Sequence, residues 1–309
     1  MRVAAEELQS KATAALGEAV RFDEPMSGHT LYRIGGPADV FAQASSVELL
    51  QKAMAFAPES GLPVLTIGAG SNLLVPDDGL RAIVVKVDIR TVRVEETALT
   101  VGAGLPVAQA AEAAREHALS GLEFCAGIPG TVGGALAMNA GCFGVEIGPL
   151  VEHVELVEPG GALRTLGRAE CAFAYRSSSL RARGGAIAGA TLRLERGDPA
   201  EIARRMAEHR AWRAKAHPLE HPSAGSVFKN PPGDKAGRLI EAAGCKGLRA
   251  SDAEVSPKHA NFIVNLGGAT YADVRTLIET VRARVEAHSG ARLELELIDL
   301  GAAVEGAAR

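Results

Sequence analysis

Between Glu123 and Glu146 runs a stretch of twenty-two residues with no charged side chain, FCAGIPGTVGGALAMNAGCFGV. Its length alone would let it cross a bilayer. Its composition argues otherwise, because six of the residues are glycine and one is proline. Each glycine lowers helix propensity by about 1 kcal/mol and each proline by about 3. Lipid would leave the resulting irregular backbone groups unpaired. The segment is therefore expected inside protein, packed tightly or lining a cavity, and no membrane partner is expected.

A chain that buries such a segment needs a real core around it. The 309 residues, 47% of them hydrophobic, suffice for two or three domains. The formal net charge of -4 gives no electrostatic reason for a polyanionic partner. Aromatic residues make up only 4%, which also argues against a base-stacking surface, so no nucleic acid is expected. The four cysteines (Cys125, Cys142, Cys171, Cys245) show no CxxC spacing. The first twenty residues read as an amphipathic helix without the apolar run of a signal peptide. These features predict a reduced, cytoplasmic protein with small buried cysteines.

Three blocks follow along the chain. From about Ser27 to Val87 the pattern is βαββ: a strand ADVFAQA, a helix capped by Ser46, then strands LPVLTIG and RAIVVKV. From about Arg93 to Glu195 come a strand ALTVGAG, a helix with Pro106 in its first turn, the uncharged segment, a hairpin turning at Pro159–Gly161, and a closing strand AIAGATLRLE. A helix from Pro199 to about Lys215 presents Arg204, Arg205, Arg210 and Arg213 as a solvated face. In the last block ANFIVNL is a strand. Thr270, with Asp273 three residues on, starts a helix whose Val274, Leu277, Ile278, Val281 and Val285 form one stripe, and RLELELIDLG reads as a final alternating strand.

Several places have the residue types that chemistry needs. In IGAGSNLLV a strand runs into Gly68, Ala69, Gly70, Ser71, Asn72 and Leu73, where small residues let successive N–H groups converge as for a phosphate. This is not GxGxxG, and a tight turn between strands explains it equally well. GIPGTVGGA holds Gly127, Ile128, Pro129, Thr131, Gly133 and Gly134, and alone reads as a packed loop. Two such clusters in neighbouring blocks suggest two walls of one crevice. Arg176 in FAYRSSS is a candidate clamp for a carboxylate or phosphate. Ser226, Lys229 and Asn230 crowd the short loop PSAGSVFKNP, held by Gly225 and Pro231. Glu294 and Glu296 share one strand face, which on period alone is a solvated face. His259 has no partner at ligand spacing, and no metal is expected. GxSxG, HExxH and GxxxxGK[ST] are all absent from the sequence.

In order, TLYRIGGPADVF, IGAGSNLLV, GIPGTVGGALAMNAGCFG, YRSSS, SAGSVFKNP, AGRLIEAAGCKGL, SDAEVSPKHANFIVN and LELEL resemble the signature segments of the UDP-N-acetylenolpyruvoylglucosamine reductase family, from about Thr30 to Gly301. The resemblance implies an α+β protein with an FAD-binding fold of the vanillyl-alcohol-oxidase (PCMH) type. Residues 1–90 would be the first FAD-binding subdomain, completed by a C-terminal strand near 293–301. Residues 91–197 would be the second, and 198–309 a substrate-binding domain. It implies FAD as cofactor, NADPH as reductant and a UDP-sugar enolpyruvyl ether as substrate, with the glycine clusters against the flavin. By the same likeness Arg176 and Glu296 would hold the substrate carboxylate and Ser226 would protonate the carbanion. Lys229, Asn230 and, more loosely, Lys215 would reach the UDP-sugar, and a monomer is expected. The chain departs from the family at Ile298, where a basic residue is usual, and between Ser179 and Asp198, where the tyrosine-bearing loop of a longer subtype is missing. Two rival readings stand beside it: an oxidase of the same fold that bonds flavin covalently through Cys125 or Cys142, and a catalytically silent binder of a nucleotide sugar.

Overall fold

The computed structural model describes residues 2–301, with side chains from residue 6 onward. It opens with α1 (Arg2–Leu16), β1 (Val20–Pro25), β2 (Pro37–Ala44), α2 (Val47–Ser60), β3 (Val64–Ile67), β4 (Leu73–Leu74) and β5 (Leu80–Val87). Ser46 starts α2 by accepting a hydrogen bond from the Leu49 N–H at 3.2 Å. Gly61 ends it in the left-handed conformation at φ 71°. Four strands form one sheet in the order β1-β2-β5-β3. Its inner strands β2 and β5 are eight residues each and predominantly apolar, and their residues are largely buried. β3 pairs parallel to β5. β1 lies outside the expected first block; it carries charges and alternates in exposure as an edge strand does.

The next elements are β6 (Val92–Glu95), β7 (Ala98–Gly102), α3 (Val107–Glu116), β8 (Leu119–Ser120), α4 (Val132–Ala137), β9 (Gly141–Cys142), β10 (Val145–Glu146), β11 (Val151–Val157), β12 (Leu163–Gly167), β13 (Ala186–Arg193) and β14 (Glu195–Arg196). A five-stranded antiparallel sheet has the order β12-β11-β13-β7-β6. Pro106 is the N-cap of α3 rather than a first-turn residue. The uncharged segment becomes a 3-10 turn (Glu123–Gly127), the six-residue α4 and the β9–β10 hairpin. Phe124, Cys125, Ala126, Val132, Ala135 and Leu136 from it are buried in one core with Leu99, Val101 and Leu192. Among the described residues no helix is long and apolar enough to cross a membrane.

Beyond these lie α5 (Pro199–Ala216), α6 (Ala236–Ala242), β15 (Arg249–Ala250), β16 (Ala253–Val255), β17 (Ile263–Asn265), α7 (Tyr271–Ser289) and β18 (Ile298–Asp299). Thr270 and Asp273 form the expected capping box, with the two reciprocal bonds at 3.1 and 2.9 Å. All five residues of the α7 stripe are buried in a core that includes Tyr32, Phe228 and Leu293. The expected strand RLELELIDLG is a correction. Regular pairing is confined to Ile298–Asp299, parallel to β4, and a single bridge joins Leu295 to Phe228. Glu294, Glu296 and Leu297 bond to the Val227–Lys229 loop and Ile298 to Asn72, so no continuous ladder forms.

The chain divides into two units. Among the described residues the first holds 2–24, 39–69 and 81–212; the second holds 25–38, 70–80 and 213–301. The division passes through α5, between Trp212 and Arg213.

Candidate active site

In the first unit β3 ends at Ile67 and the chain turns through Gly68. A Cβ on Gly68 would lie 2.1 Å from Thr131 Oγ1, so only glycine lets this turn meet the loop before α4. Thr131 is itself fixed: its Oγ1 accepts from the Gly134 N–H at 3.4 Å and caps α4. The Val132 N–H donates to Leu105 O at 2.9 Å and the Gly133 N–H to Ala103 O at 2.8 Å. Gly133 thus contributes smallness rather than a free donor. Gly134 is exposed, and a Cβ there would meet nothing nearer than Thr131 Oγ1 at 3.6 Å. The structure therefore joins Gly68 to Thr131, Gly133 and Gly134 in a wall without charge and almost without side chains. Such a cradle fits the flat isoalloxazine and the pyrophosphate of FAD, which need close backbone and no bulk.

Arg176 also belongs to the first unit. It stands at the tip of a tight turn closed by two bonds between Ala174 and Ser177, at 3.0 and 2.9 Å. Its φ is +53°, a left-handed conformation rare for a long side chain and a form of strain that clusters at working sites. Its Nη2 donates to Gly141 O at 2.9 Å, and its guanidinium lies 5.2 Å from the Tyr175 ring centroid. Ser178 Oγ donates to Ala137 O at 2.8 Å. The uncharged segment is thus the seat of the arginine turn as well as a glycine wall. Asn139, which sequence reasoning did not single out, donates to Ala174 O at 3.0 Å. Its one signal was to be the lone asparagine of that segment.

The second unit brings Ser226 and Glu296 to adjacent segments. Glu296 N–H donates to Val227 O at 2.9 Å, and Lys229 N–H donates to Glu294 O at 2.9 Å. Asn72 joins them from the glycine turn: its Nδ2 donates to Glu296 O at 2.9 Å and its carbonyl accepts from the Ile298 N–H at 3.0 Å. Asn72 is thereby seen to secure the Glu296 backbone. Ser226 and Glu296 are half-buried, whereas the Glu294 side chain is 79% exposed. The two glutamates that share a sequence period thus part company. Glu294 faces water beside Lys229 Nζ at 3.5 Å, whereas Glu296 is partly covered. Asn230 Oδ1 accepts from the Ala236 N–H at 3.0 Å and so holds the start of α6. Lys215 is exposed in the last turn of α5. Asn261, another residue the sequence did not flag, braces the Ser226 loop. It accepts from the Phe228 N–H at 3.0 Å and donates to Phe228 O at 2.8 Å.

His259 is no ligand centre. It sits among aromatics, 5.4 Å from the His217 ring and 4.9 Å from that of Phe262, and burial lowers its pKa. Among the described residues no His/Cys/Asp/Glu group could hold a metal ion. Cys125, Cys171 and Cys245 are buried and free; Cys142 is only half-buried, against expectation. Burial pushes the Cys125 thiol far up, which withholds the thiolate that a covalent flavin bond would need.

Comparison with known proteins places this geometry in a class and then in a family. An FAD binding domain model matches residues 38–167. The fold is accordingly an FAD-binding α+β fold of the vanillyl-alcohol-oxidase type, and the protein is an FAD-dependent oxidoreductase. A second model, described as UDP-N-acetylenolpyruvoylglucosamine reductase, C-terminal domain, matches residues 217–298. UDP-N-acetylenolpyruvoylglucosamine reductase of Moorella thermoacetica is 47% identical over 276 residues, 89% of this chain and 91% of that protein. UDP-N-acetylenolpyruvoylglucosamine reductase 2 of Symbiobacterium thermophilum is 44% identical over 280 residues, 90% of this chain and 91% of its own. The crystal structure of the reductase (MurB) from Thermus caldophilus superposes with a TM-score of 0.78 at 38% identity, covering 91% of this chain and 97% of that one. The chain belongs to the UDP-N-acetylenolpyruvoylglucosamine reductase family.

Proposed function

We propose that the chain reduces the enolpyruvyl ether of UDP-N-acetylglucosamine to UDP-N-acetylmuramate, with FAD as cofactor and NADPH as reductant, in the synthesis of peptidoglycan precursors. The observation that carries the reading is the pairing of the Ser226 loop with the Glu296 segment, Glu296 N–H to Val227 O at 2.9 Å, in a chain of this family. FAD, when bound, would supply the hydride chemistry that links NADPH oxidation to reduction of the enolpyruvyl double bond. Gly68, Ala69, Gly70, Ser71, Asn72, Leu73, Gly127, Ile128, Pro129, Thr131, Gly133 and Gly134 are the residues assigned to holding it. Residues 1–90 and 91–197 form its two subdomains in this reading, and 198–309 bind substrate.

Hydride arrival at the terminal carbon pushes an electron pair onto the neighbouring carbon and into its carboxylate. Arg176 pairs with that carboxylate and stabilises charge where it grows, so it lowers the barrier more than it tightens ground-state binding. Glu296, in its acid form, donates to the same carboxylate. Ser226 gives its hydroxyl proton to the carbanionic carbon and recovers one from solvent; an enolate is a strong enough base to take it. Lys229, Asn230 and Lys215 are assigned to the UDP-sugar. A cytoplasmic monomer belongs to the same reading, since both substrates are charged nucleotides that do not pass a bilayer unaided.

Ser226→Ala tests the assignment. Flavin reduction by NADPH is expected to proceed as in the wild type, while enolpyruvyl reduction slows by about a hundredfold or more. Both half-reactions running at wild-type rates would remove Ser226 from the chemistry.

A further inference from the structure

We propose that Asn139 is the positioning residue that presents Arg176 to the substrate, through a clasp it closes on Glu146, Gly148 and Ala174. The inference rests on the role given to Arg176 above. Asn139 is 1% exposed and holds a left-handed φ of +44°. Its Nδ2 donates to Glu146 Oε2 at 2.7 Å and to Ala174 O at 3.0 Å, and its Oδ1 accepts from the Gly148 N–H at 2.9 Å. Only an amide serves all three partners, because the carboxylate and the carbonyl both need a donor and the N–H needs an acceptor. Gly148 permits the approach; a Cβ there would stand 2.8 Å from Asn139 Oδ1 and 2.7 Å from Phe173 Cγ.

The clasp controls both ends of the arginine. Ala174 opens the turn that carries Arg176, and Asn139 grips it by its carbonyl. Gly141, two residues after Asn139, receives the guanidinium at 2.9 Å. Glu146 closes the β9–β10 hairpin against Gly141 from the other side, in register with it. Root and tip of the arginine turn therefore both depend on the one loop that Asn139 ties shut. A strained φ at Arg176 survives only where its surroundings over-determine it, and this clasp does so.

Asn139→Asp keeps the size and the Oδ1 acceptor but sets a second carboxylate against Glu146. Two carboxylates so close cannot both ionise without repulsion, and a shared proton relieves it at lower pH. On FAD-loaded protein at pH 8, flavin reduction by NADPH is expected to stay within about twofold, while enolpyruvyl reduction falls about a hundredfold. The substrate Kd from calorimetry is expected to weaken by much less than the rate, since Arg176 acts mainly on the barrier. Lowering the pH to 5.5 is expected to recover much of the loss relative to wild type over the same range. Adding Glu146→Gln is expected to recover at least tenfold at pH 8, since a glutamine amide donates to the new carboxylate. Equal losses in both half-reactions, with no recovery by pH or by the second substitution, would make Asn139 a merely structural group and overturn the proposal. Unaltered kinetics would overturn it too. Should Asn139→Asp not fold, Asn139→Ser, which retains one hydroxyl donor, carries the same test: a loss confined to enolpyruvyl reduction supports the clasp and a parallel loss sinks it. Arg176→Ala separates the layers. Intact substrate reduction there would remove the role of Arg176, whereas a slow Arg176→Ala beside a normal Asn139→Asp would remove only the clasp.

Discussion

The two units hold their candidate residues by opposite means. In the first, side chains are taken away: Gly68 approaches Thr131 closely enough that one added carbon would fall 2.1 Å from an oxygen, and Gly148 makes room for Asn139. In the second, distant segments are tied together by main-chain bonds, with Val227, Lys229 and Asn72 each holding one point of the stretch from Glu294 to Ile298. Deletion makes a surface that a large flat ligand can lie on. Pairing fixes the backbone beneath two half-buried polar side chains, Ser226 and Glu296. The first kind of site is sensitive to gain of volume, and the second to loss of a hydrogen bond.

The sharpest test of this contrast is Gly68→Val. The branched side chain meets Thr131 head-on, and overpacking of this kind costs about 3 kcal/mol, or about a hundredfold in FAD affinity. The visible flavin bands of the purified protein report the loss. Gly68→Ala is the milder probe, and Thr131→Ala in that background is expected to return part of the flavin, because the nearest colliding atom is then gone. Full flavin content in Gly68→Val would mean that the turn and the α4 loop do not form the wall described here.

The same contrast sets what the sequence could disclose. Glycine runs are visible as letters, so both glycine clusters were legible, as were the α7 stripe, the capping box at Thr270 and the strands β2 and β5. The family likeness named Arg176, Ser226 and Glu296 from their local contexts. What could not be read was the pairing. Period alone put Glu294 and Glu296 on one face; their different exposures come from bonds to Val227, Lys229 and Asn72, which are remote in sequence. The strand expected over the whole of RLELELIDLG failed for the same reason, since its partners are separate loops rather than one strand. Asn139 and Asn261 went unnoticed because a single polar letter gives no sign of being buried with its full set of partners.

Asn261→Ala probes the pairing side. It strips the buried Phe228 N–H and carbonyl of their partners at once, at a cost of about 1–3 kcal/mol. Thermal unfolding is expected to shift downward accordingly. Enolpyruvyl reduction is expected to slow by about tenfold as the Ser226 loop loosens, while the flavin bands persist. Loss of flavin with unchanged substrate kinetics in the protein that remains loaded would reverse the assignment of the two strategies to the two units.

The units also differ in the pH at which acid reaches them. In the second unit His217 is nine-tenths buried; desolvation first, then the positive charge of Arg213, drops its pKa from 6.5 to about 3. The folded form therefore refuses a proton that the unfolded chain accepts. Stability from this group is complete above 6.5 and declines as pH falls from 6.5 toward 3, by at most about 1.4 kcal/mol per pH unit. His259, also lowered by burial, adds in the same direction. In the first unit burial opposes ionisation of Glu123, but bonds from Ser120 Oγ at 2.7 Å and the Gly121 N–H at 2.8 Å outweigh it and leave its pKa below 4.5. Its contribution is present above 4.5 and is lost only as pH falls through the lowered value. Denaturant titrations between pH 7 and 4.5 are thus expected to weaken the second unit while the Glu123 contribution holds. His217→Gln is expected to flatten that slope, and an unchanged slope would mean that His217 is not held neutral by the fold.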